Sequence, residues 1–547
     1  IEDVVIGGLA GNSLTTGGRN TALGHRALKN ETEGNYNTAV GTEALSLQNT
    51  ASNSYNTAVG YRAGYNTTTG NRNITIGGHA GFSLTTGIKN IAVGNGALYS
   101  EDTGSKSVAV GNDALKHQNY DGDAYNVAVG FDAGNDITTG IQNTIMGGLA
   151  GDALTTGARN IAIGYSALSS EDTGGRNVAI GRAALEDLNA GTDAYNIAIG
   201  YEAGKEMTTG VQNTILGGLA GDALTSANNN VAIGYNAMGS EDTGDGSTAV
   251  GHSALAAMNY DGYAHNTAIG YHAGKSVTTG TTNTLIGGLA GDALTEGNNN
   301  VAIGKDTLGA ETLGDRNVAV GNGALQNQNN TSDTDVYNTA IGYNAGLNVT
   351  TGTNNTIIGG LAGDALTTGS SNVALGYNAL STEDAHGRNV ALGNSALATL
   401  NAGTHAYNTA VGYAAGQAVT TGTFNTIMGG LAGDSLTTGS YNTALGHDAL
   451  NAEDTTSFNT AIGSQALKVQ DGGANNTAIG RQAGLAVSTG SNNTILGRNA
   501  GDALTTGDNN IIIGYTAAAS AVDASNEITL GDGNISAIRC QVQSISA

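Results

Sequence analysis

Asparagine is the polar residue that recurs most regularly in this chain, always at the start of one short phrase. Near the N-terminus the phrase reads Asn20-Thr21-Ala22-Leu23-Gly24, and Asn keeps its position in 27 of the 29 copies from residue 20 to residue 510. The exceptions are Ser107 and Ser247. Amides repeated at one corner of stacked copies can hydrogen-bond to each other and cap backbone turns. We therefore expect a structural column, with ligand binding by the amides as the alternative. Its early members are Asn20, Asn37, Asn56, Asn73, Asn90, Asn126, Asn143 and Asn160.

Aromatic residues form a second column, which appears once in every four copies of the phrase. One series directly precedes the Asn, and the other directly follows the Gly. Tyr beside Asp and Asn is suited to sugar binding, through ring stacking and hydroxyl hydrogen bonds. We favour the simpler interpretation that these rings anchor a loop, and keep glycan contact as the alternative. The candidate glycan contacts are Tyr55, Tyr125, Tyr195, Tyr337 and Tyr407; the second series is Tyr61, Phe131, Tyr201, Tyr271, Tyr343 and Tyr413.

Pairs of acidic residues recur at a constant interval, at Glu101-Asp102, Glu171-Asp172 and Glu241-Asp242. Adjacent carboxylates on a strand or turn point apart, and the copies would lie far from one another along a stack. They form neither a paired acid/base site nor a calcium loop of known spacing. We expect solvated turn residues.

The remaining residues that could support catalysis show no recognisable spacing. The nine His are scattered, without a His-x-x-His or Glu-x-x-His motif, and no Ser-His-Asp set or phosphate loop is present. Strings such as Gly147-Gly148-Leu149-Ala150-Gly151 are interpreted as corners of a coil. We expect no catalytic residue, no metal site and no cofactor.

The whole phrase recurs 31 times, and the spacing between its glycines is nearly constant. Gly24 and Gly41 show the usual period, which is 17. We call one such repeat a coil. This period is too short for a strand-helix unit, which predicts a solenoid of small stacked coils. The predicted fold class is all-β: a parallel β-roll, or β-solenoid, of about 31 coils.

Each coil begins with a short apolar segment that predicts a strand. In Val178-Ala179-Ile180 and Ile197-Ala198-Ile199 three residues end at a Gly. A Leu-Thr-Thr-Gly segment such as Leu154–Gly157 predicts a second strand in the same coil. The aliphatic residue before the Gly and a few Ala would give only a thin core, at about 25 cal/mol per Å² buried. We therefore expect lateral association, with three rolls packed around one axis.

Four coils form a longer repeat. From Gly7 to Gly287 the phrase Ile-Gly-Gly and its relatives recur at one constant interval, made of three coils of the usual length and one that is longer by two residues. The added residues always precede the Asn. This predicts one face of the stack where loops can grow.

Composition restricts the possible partners. The formal net charge is −25, with 45 acidic against 20 basic residues. Nucleic acid and anionic membrane both require clustered Lys and Arg, so we expect neither as a partner. Apolar runs are shorter than the roughly 18 residues of a membrane span. Proline is absent among 87 Gly, which excludes collagen. Cys540 is the only cysteine, which excludes a disulfide framework.

The phrase Asn-Thr-Ala-Ile-Gly, with Ala three residues later, resembles the head repeat of the YadA-type trimeric adhesins. In that family three chains pack side by side as left-handed parallel β-rolls. The resemblance covers about residues 1–531, and the coil of this chain is longer than the repeat of that family. It implies a homotrimer built on a continuous roll.

The C-terminal stretch Glu527–Val542 resembles the segment that leads into the endosialidase-type intramolecular chaperone of phage tail fibres and tail spikes. Such a chaperone drives trimerisation and then cleaves itself off. The resemblance implies a roll over residues 1–531 and a β segment over 532–547 leading to a missing, cleaved chaperone. It also implies that Cys540 is buried near the three-fold axis.

These observations together predict a structural fibre of a phage tail, homotrimeric and non-catalytic, that is part of the virion and attaches to the host through a surface glycan or protein receptor. The first alternative is a trimeric adhesin head on a bacterial cell surface. A second is a glycan-binding or depolymerase fibre, although no cluster of carboxylates in an irregular stretch is present. Ice binding by rows of Thr is a third, and the residues after Thr-Thr-Gly vary too much for a regular lattice.

Overall fold

A computed structural model describes residues 2–537 as two compact units, Ile1–Thr281 and Thr282–Ala547. Every regular element in residues 2–537 is a β-strand, and no helix occurs there. Cys540 and most of the predicted segment 532–547 lie outside the described residues. The prediction of an all-β parallel solenoid with about 31 coils and a period of about 17 is confirmed.

The first unit contains strands β1 to β16, each three residues long. They are β1 Val4–Ile6, β2 Thr21–Leu23, β3 Thr38–Val40, β4 Thr57–Val59, β5 Ile74–Ile76, β6 Ile91–Val93, β7 Val108–Val110, β8 Val127–Val129, β9 Thr144–Met146, β10 Ile161–Ile163, β11 Val178–Ile180, β12 Ile197–Ile199, β13 Thr214–Leu216, β14 Val231–Ile233, β15 Thr248–Val250 and β16 Thr267–Ile269.

The second unit contains strands β17 to β33. They are β17 Thr284–Ile286, β18 Val301–Ile303, β19 Gly314–Asp315, β20 Val318–Val320, β21 Thr334–Asp335, β22 Thr339–Ile341, β23 Thr356–Ile358, β24 Val373–Leu375, β25 Val390–Leu392, β26 Thr409–Val411, β27 Thr426–Met428, β28 Thr443–Leu445, β29 Thr460–Ile462, β30 Thr477–Ile479, β31 Thr494–Leu496, β32 Ile511–Ile513 and β33 Ile528–Leu530.

Within each unit the three-residue strands form one parallel ladder in strict register. In the first unit Ala162 of β10 pairs with Ile145 of β9 on one side and with Ala179 of β11 on the other. The second unit continues the same pattern, except that the two-residue strands β19 and β21 pair with each other outside the main ladder. The register follows from the sequence because each coil places its phrase directly over the phrase of the previous coil.

In many coils a buried Leu or Met four residues after the Gly, such as Leu28, Leu98 or Met238, fills the interior together with three further positions. In the coil of β9 these are Ile145 in the middle of the strand, Ala150 three residues after Gly147, and Leu154 seven residues after it, all completely buried. In most coils the strand residue is Ala instead, and the Ala three residues past the Gly is buried in the same way, as at Ala27 and Ala97. The third position supplies a large side chain that the predicted thin core lacked.

The aliphatic residue just before the Gly points outward. Side chains alternate between the two faces of a strand, so the inward direction of Ile145 turns its neighbours Thr144 and Met146 to the outer face. Met146 is accordingly exposed. The interpretation of this position as core is therefore wrong.

The Leu-Thr-Thr-Gly segment is not a strand. Its Leu154 is buried, while Thr155 and Thr156 form a bend. The bend still bonds to the next coil, because the N–H and the hydroxyl of Thr155 donate to the carbonyl of Asp172 at 2.7 and 3.0 Å. This coil thus has one strand, and the prediction of a second one is wrong.

The Gly that ends each strand allows the coils to stack closely. Gly147 has a φ of 146°, and a Cβ on it would lie 2.3 Å from the carbonyl oxygen of Gly164 in the next coil. Any side chain at this corner would push the two coils apart. The repeated Gly therefore sets the coil boundary that the sequence shows.

The longer coils place their added residues at the surface before the Asn. In the coil that leads to β12, Gly191, Thr192 and Asp193 are exposed, and Ala194 returns to the interior ahead of Tyr195. In the coil with the longest insertion, which leads to β22, β21 itself lies within the added stretch, and residues 331–335 are exposed. The coils of both units grow at this face, as the fixed phase of the insertions predicted.

Candidate functional site

The Asn column lies inside the protein and bonds to its backbone. The Oδ1 of Asn143 accepts the N–H of Asn160 at 2.8 Å, and its Nδ2 donates to the carbonyl of Gly157 at 2.9 Å. The eight candidate members, Asn20, Asn37, Asn56, Asn73, Asn90, Asn126, Asn143 and Asn160, are at most 2 % exposed. Both halves of the amide therefore join one coil to the next, and no face of it is presented to a ligand.

The two Ser exceptions share one structural feature: each precedes one of the longer coils. Insertion moves the carbonyl that the Nδ2 of an Asn would otherwise reach. Asn177 stands before such a coil, and its buried Nδ2 has no hydrogen-bond partner. At this position the side chain has to act only as an acceptor for the next coil, and the Oγ of Ser247 does so by accepting the N–H of Asn266 at 3.3 Å.

The Glu of each acidic pair is buried, so our interpretation of the pairs as solvated is wrong for the Glu. Each such Glu lies seven residues after the Gly, at the place where Leu154 fills the core in another coil. Seven coils have a completely buried Glu at this position, followed by Asp in all but Glu31 and Glu311; they are Glu31, Glu101, Glu171, Glu241, Glu311, Glu383 and Glu453. The fixed distance from the Gly was the sequence signal that could have revealed their position.

Backbone N–H groups hold these carboxylates. Glu171 accepts the N–H of Gly174 at 2.6 Å through Oε1 and that of Ala190 at 3.1 Å through Oε2. Burial raises the pKa of Glu171, and the hydrogen bonds from the backbone oppose that rise. Desolvation likewise raises the pKa of Glu101, Glu241 and Glu383. The paired Asp172 is half-buried and accepts bonds through its backbone carbonyl.

The five candidate Tyr are exposed at the outer edge of the long coils, between 42 % and 51 %. A cation or ring from the preceding coil covers one face of each. Tyr55 stacks on Tyr36 with centroids 4.9 Å apart. The cations are Lys106 over Tyr125, Arg176 over Tyr195, Arg316 over Tyr337 and Arg388 over Tyr407, at 4.9 to 5.5 Å from the centroid.

The hydroxyls of these Tyr also have partners within the protein. The Nζ of Lys106 donates to the Tyr125 hydroxyl at 2.9 Å, and Nη1 of Arg316 donates to that of Tyr337 at 3.0 Å. Arg176 and Arg388 bond to Tyr195 and Tyr407 in the same way. This geometry favours loop anchoring, since one ring face and the hydroxyl of these Tyr are already engaged within the protein.

The second unit carries the longest aromatic stack of the described residues. Tyr407, Phe424, Tyr441 and Phe458 follow one another with centroids 4.9 to 5.3 Å apart and nearly parallel rings. Arg388 covers the first ring of the stack. Since each ring precedes the Asn of its coil, the coil repeat itself brings the four rings into register.

The outer side of the strands forms a continuous surface in each unit that follows the repeat. We call it the strand face; it consists of the first and third residues of the three-residue strands. Its third-position members in the first unit include Leu23, Val59, Ile76, Met146, Leu216 and Ile269, and in the second unit Ile303, Ile341, Leu375, Met428, Leu445, Ile479 and Leu496; all are 36–44 % exposed. No charged residue interrupts any of these strands in residues 2–313.

Comparisons with known proteins add no family. A scan against protein-family models matches none, and a search of curated proteins finds no relative of this chain. Among the described residues no helix is long and apolar enough to cross a membrane.

Proposed function

We propose that this chain is the subunit of a homotrimeric, non-catalytic fibre of the phage-tail type, carried on the virion and used to attach to a host. One observation carries the proposal: the third residue of every three-residue strand in both units is aliphatic or Met, it lies on the strand face beside Thr, Val or Ile, and it is partly open to solvent in the single chain. Parallel sheets are normally covered on both faces. The coil interior covers one face here, so the other requires a partner.

A second and third copy of the same chain are the partners that match this face best. The face repeats with the coil, so its partner must offer an apolar surface with the same spacing over the same length. Another copy does so automatically. Apolar faces of this extent are unusual on single soluble chains and mark contact surfaces. The resemblance to YadA-type rolls supplies the number three.

Charge is consistent with a fibre that stays separate from its neighbours. The strand face in the first unit carries Thr and aliphatic or Met residues and no charge, so the charged residues behind the formal net charge of −25 lie outside it. Three chains would bring three times that charge to the outside of one fibre. Repulsion between fibres keeps them apart in solution.

The mass of the purified chain in solution tests the proposed trimer. Light scattering under native conditions should give three times the chain mass of 54.3 kDa. A monomer at micromolar concentration would overturn the trimer and leave a single-chain solenoid.

Antibody labelling separates a virion fibre from its first alternative, an adhesin head on the cell. Gold-labelled antibodies against the chain should mark the tails of phage particles from the source culture. Labelling of the cell surface in the absence of particles would favour the adhesin. A glycan array with the purified trimer tests the second alternative, and polysaccharide cleavage by the same sample would contradict the non-catalytic proposal.

A further inference from the structure

One coil of the second unit departs from the pattern that surrounds the buried Glu. Three residues after Glu383 stands His386, whereas five of the other six coils of this type have Gly at that place: Gly34, Gly104, Gly174, Gly244 and Gly314. The seventh has Thr456. In these Gly coils the backbone N–H of the Gly donates to the Glu, and no side chain competes for the carboxylate. His386 places an imidazole beside it.

The three polar side chains of this coil converge. A carboxylate oxygen from Glu383, one from Asp384 and a ring nitrogen of His386 all lie within 4.8 Å of one another. The Nδ1 of His386 is 3.5 Å from the Oε1 of Glu383. The Glu383 side chain is completely buried, Asp384 is half-buried, and the His386 side chain is 27 % exposed. The cluster is therefore reachable from solvent through the imidazole and Asp384.

Two atoms of the cluster lack a hydrogen bond although they are shielded from water. They are the Oε2 of Glu383 and the Nδ1 of His386. Buried carboxylate and imidazole atoms without partners are costly, at about 1–3 kcal/mol each or more. In the coil of Glu101 the matching Oε2 accepts the Nε2 of Gln118 at 2.9 Å. In the coil after Glu383 that place is taken by Leu400, which offers no donor.

The backbone also leaves these atoms free. The N–H of His386 donates to the Oε1 of Glu383 at 3.2 Å, which occupies the other oxygen. The N–H of Ala402 approaches this carboxylate, but its geometry does not make a hydrogen bond with Oε2. The Oδ1 of Asp384 accepts the N–H of Ala385 at 2.5 Å. The Oε2 of Glu383 and the Nδ1 of His386 thus remain without a hydrogen bond, close to the half-buried carboxylate of Asp384.

We propose that Glu383, Asp384 and His386 form a site for a divalent transition-metal ion of the Zn²⁺ class. An imidazole nitrogen with two carboxylate oxygens is a donor set typical of such ions, whereas Ca²⁺ and Mg²⁺ prefer oxygen alone. Bonds of about 2.0–2.2 Å to one ion would draw the three donor atoms, which lie within 4.8 Å of one another, closer together. Water completes the coordination. The sequence-based expectation of no metal site is revised by this proposal for one coil.

A second acidic cluster of the same unit lacks two features of the proposed metal site. Glu453, Asp454 and Asp471 also bring three ligand atoms together. There the Oε2 of Glu453 accepts the Nε2 of Gln470 at 3.1 Å, and no imidazole is present. That cluster therefore has neither the free buried oxygen nor the nitrogen donor, and we assign it no metal.

Titration with Zn²⁺ in the presence of excess Ca²⁺ tests the site, with Co²⁺ as a spectroscopic substitute. Wild type should bind one tight Zn²⁺ per chain, and Co²⁺ should give visible absorption of a low-coordinate nitrogen and oxygen site. His386→Gly restores the residue of five equivalent coils and should fold. It should weaken Zn²⁺ binding by about 100-fold or more, since it removes the nitrogen ligand. Glu383→Gln keeps the volume and should weaken binding similarly.

His447→Asn is the matched control, because His447 faces a single carboxylate: its Nδ1 lies 3.4 Å from the Oδ2 of Asp448. This variant should keep the tight site. Equal Zn²⁺ affinity in wild type and His386→Gly would overturn the proposal, as would the absence of any tight Zn²⁺ in wild type. Loss of the Co²⁺ spectrum in Glu383→Gln but not in His447→Asn would support it.

Discussion

The Nε2 of Gln118 donates a 2.9 Å hydrogen bond to the Oε2 of Glu101 one coil earlier, and both side chains are completely buried. Three further Glu have a Gln at the same place: Glu31 with Gln48, Glu311 with Gln328, and Glu453 with Gln470. Elsewhere Leu188, Met258 or Leu400 takes the place of the Gln. Polar side chains thus lie in an otherwise apolar column, and burial raises the pKa of Glu101 among them.

Replacing Glu171 with Gln should flatten the dependence of stability on pH. Burial raises the pKa of Glu171 in the folded chain above its unfolded value of about 4.3. A raised pKa contributes stability that is complete below the unfolded value and is lost as pH rises through the folded one. In wild type, Glu171 should therefore raise the thermal midpoint by an increasing amount from pH 7 to pH 6 and pH 5. Glu171→Gln should lose this increase.

Glu43→Gln is the control of opposite sign. A hydrogen bond from Arg62, 2.8 Å from Glu43, lowers the pKa of that carboxyl. Its stabilisation is present at neutral pH and is lost as pH falls through the folded value. Glu43→Gln should thus reduce the midpoint at pH 7 more than at low pH. An unchanged pH profile in Glu171→Gln would contradict the assignment of a raised pKa.

Replacing Asn with Ser should lower the stability of the protein in one coil and change it little in the next. The Nδ2 of Asn160 donates to the carbonyl of Gly174 at 3.0 Å inside the protein. Asn160→Ser leaves that carbonyl unpaired, at about 1–3 kcal/mol. Asn177 has no partner for its Nδ2, and Ser107 and Ser247 occupy the equivalent place in other long coils. Asn177→Ser should therefore change the unfolding midpoint little, and equal losses in both variants would contradict this account.

The sequence predicts the stacking of coils well because one physical requirement repeats unchanged. Close approach at Gly147 demands Gly, and the same demand returns in nearly every coil, so the period can be read directly. The buried amide of Asn143 likewise needs a partner in each coil. Repeated constraints of this kind determine the strand bounds to within a residue.

The direction of side chains was harder to predict. Three residues such as Thr144-Ile145-Met146 are apolar at two neighbouring positions, and a strand this short does not show which face is inward. We interpreted Glu171 as solvated because of its charge, although it occupies the same position of the coil as the buried Leu154. In both cases the neighbouring coils, and not the local residue type, determine whether the side chain points inward or outward.

Gly164→Ala should block the stacking of coils. Gly164 has a φ of 135°, and an added Cβ would lie 2.3 Å from the carbonyl oxygen of Gly181. The backbone must move, because the contact is with backbone and not with a flexible side chain. We expect loss of soluble protein or a large fall in the thermal midpoint. Gly191→Ala is the control: its φ is 67° but nothing lies within 4 Å, so the cost should be about 1 kcal/mol. Similar behaviour of the two variants would refute the close contact.

Positive charge on the strand face should dissociate the proposed trimer. Leu445, Ile479 and Leu496 are outward residues of β28, β30 and β31 and are 37–44 % exposed in the single chain. If copies pack on this face, three Lys here lose their hydration without a partner, which costs roughly several kcal/mol per buried charge. The triple variant should give the mass of one chain, 54.3 kDa, by light scattering where wild type gives three times that value.

A matched substitution separates this effect from a general effect of Lys. Val469 is 43 % exposed, aliphatic and in the same unit, but it lies next to Gln470, away from the strands. Val469→Lys should therefore keep the trimer mass and its thermal midpoint. A trimer that survives the triple substitution with an unchanged midpoint would mean that copies associate through another surface, since an apolar interface does not accept three unpaired charges per chain.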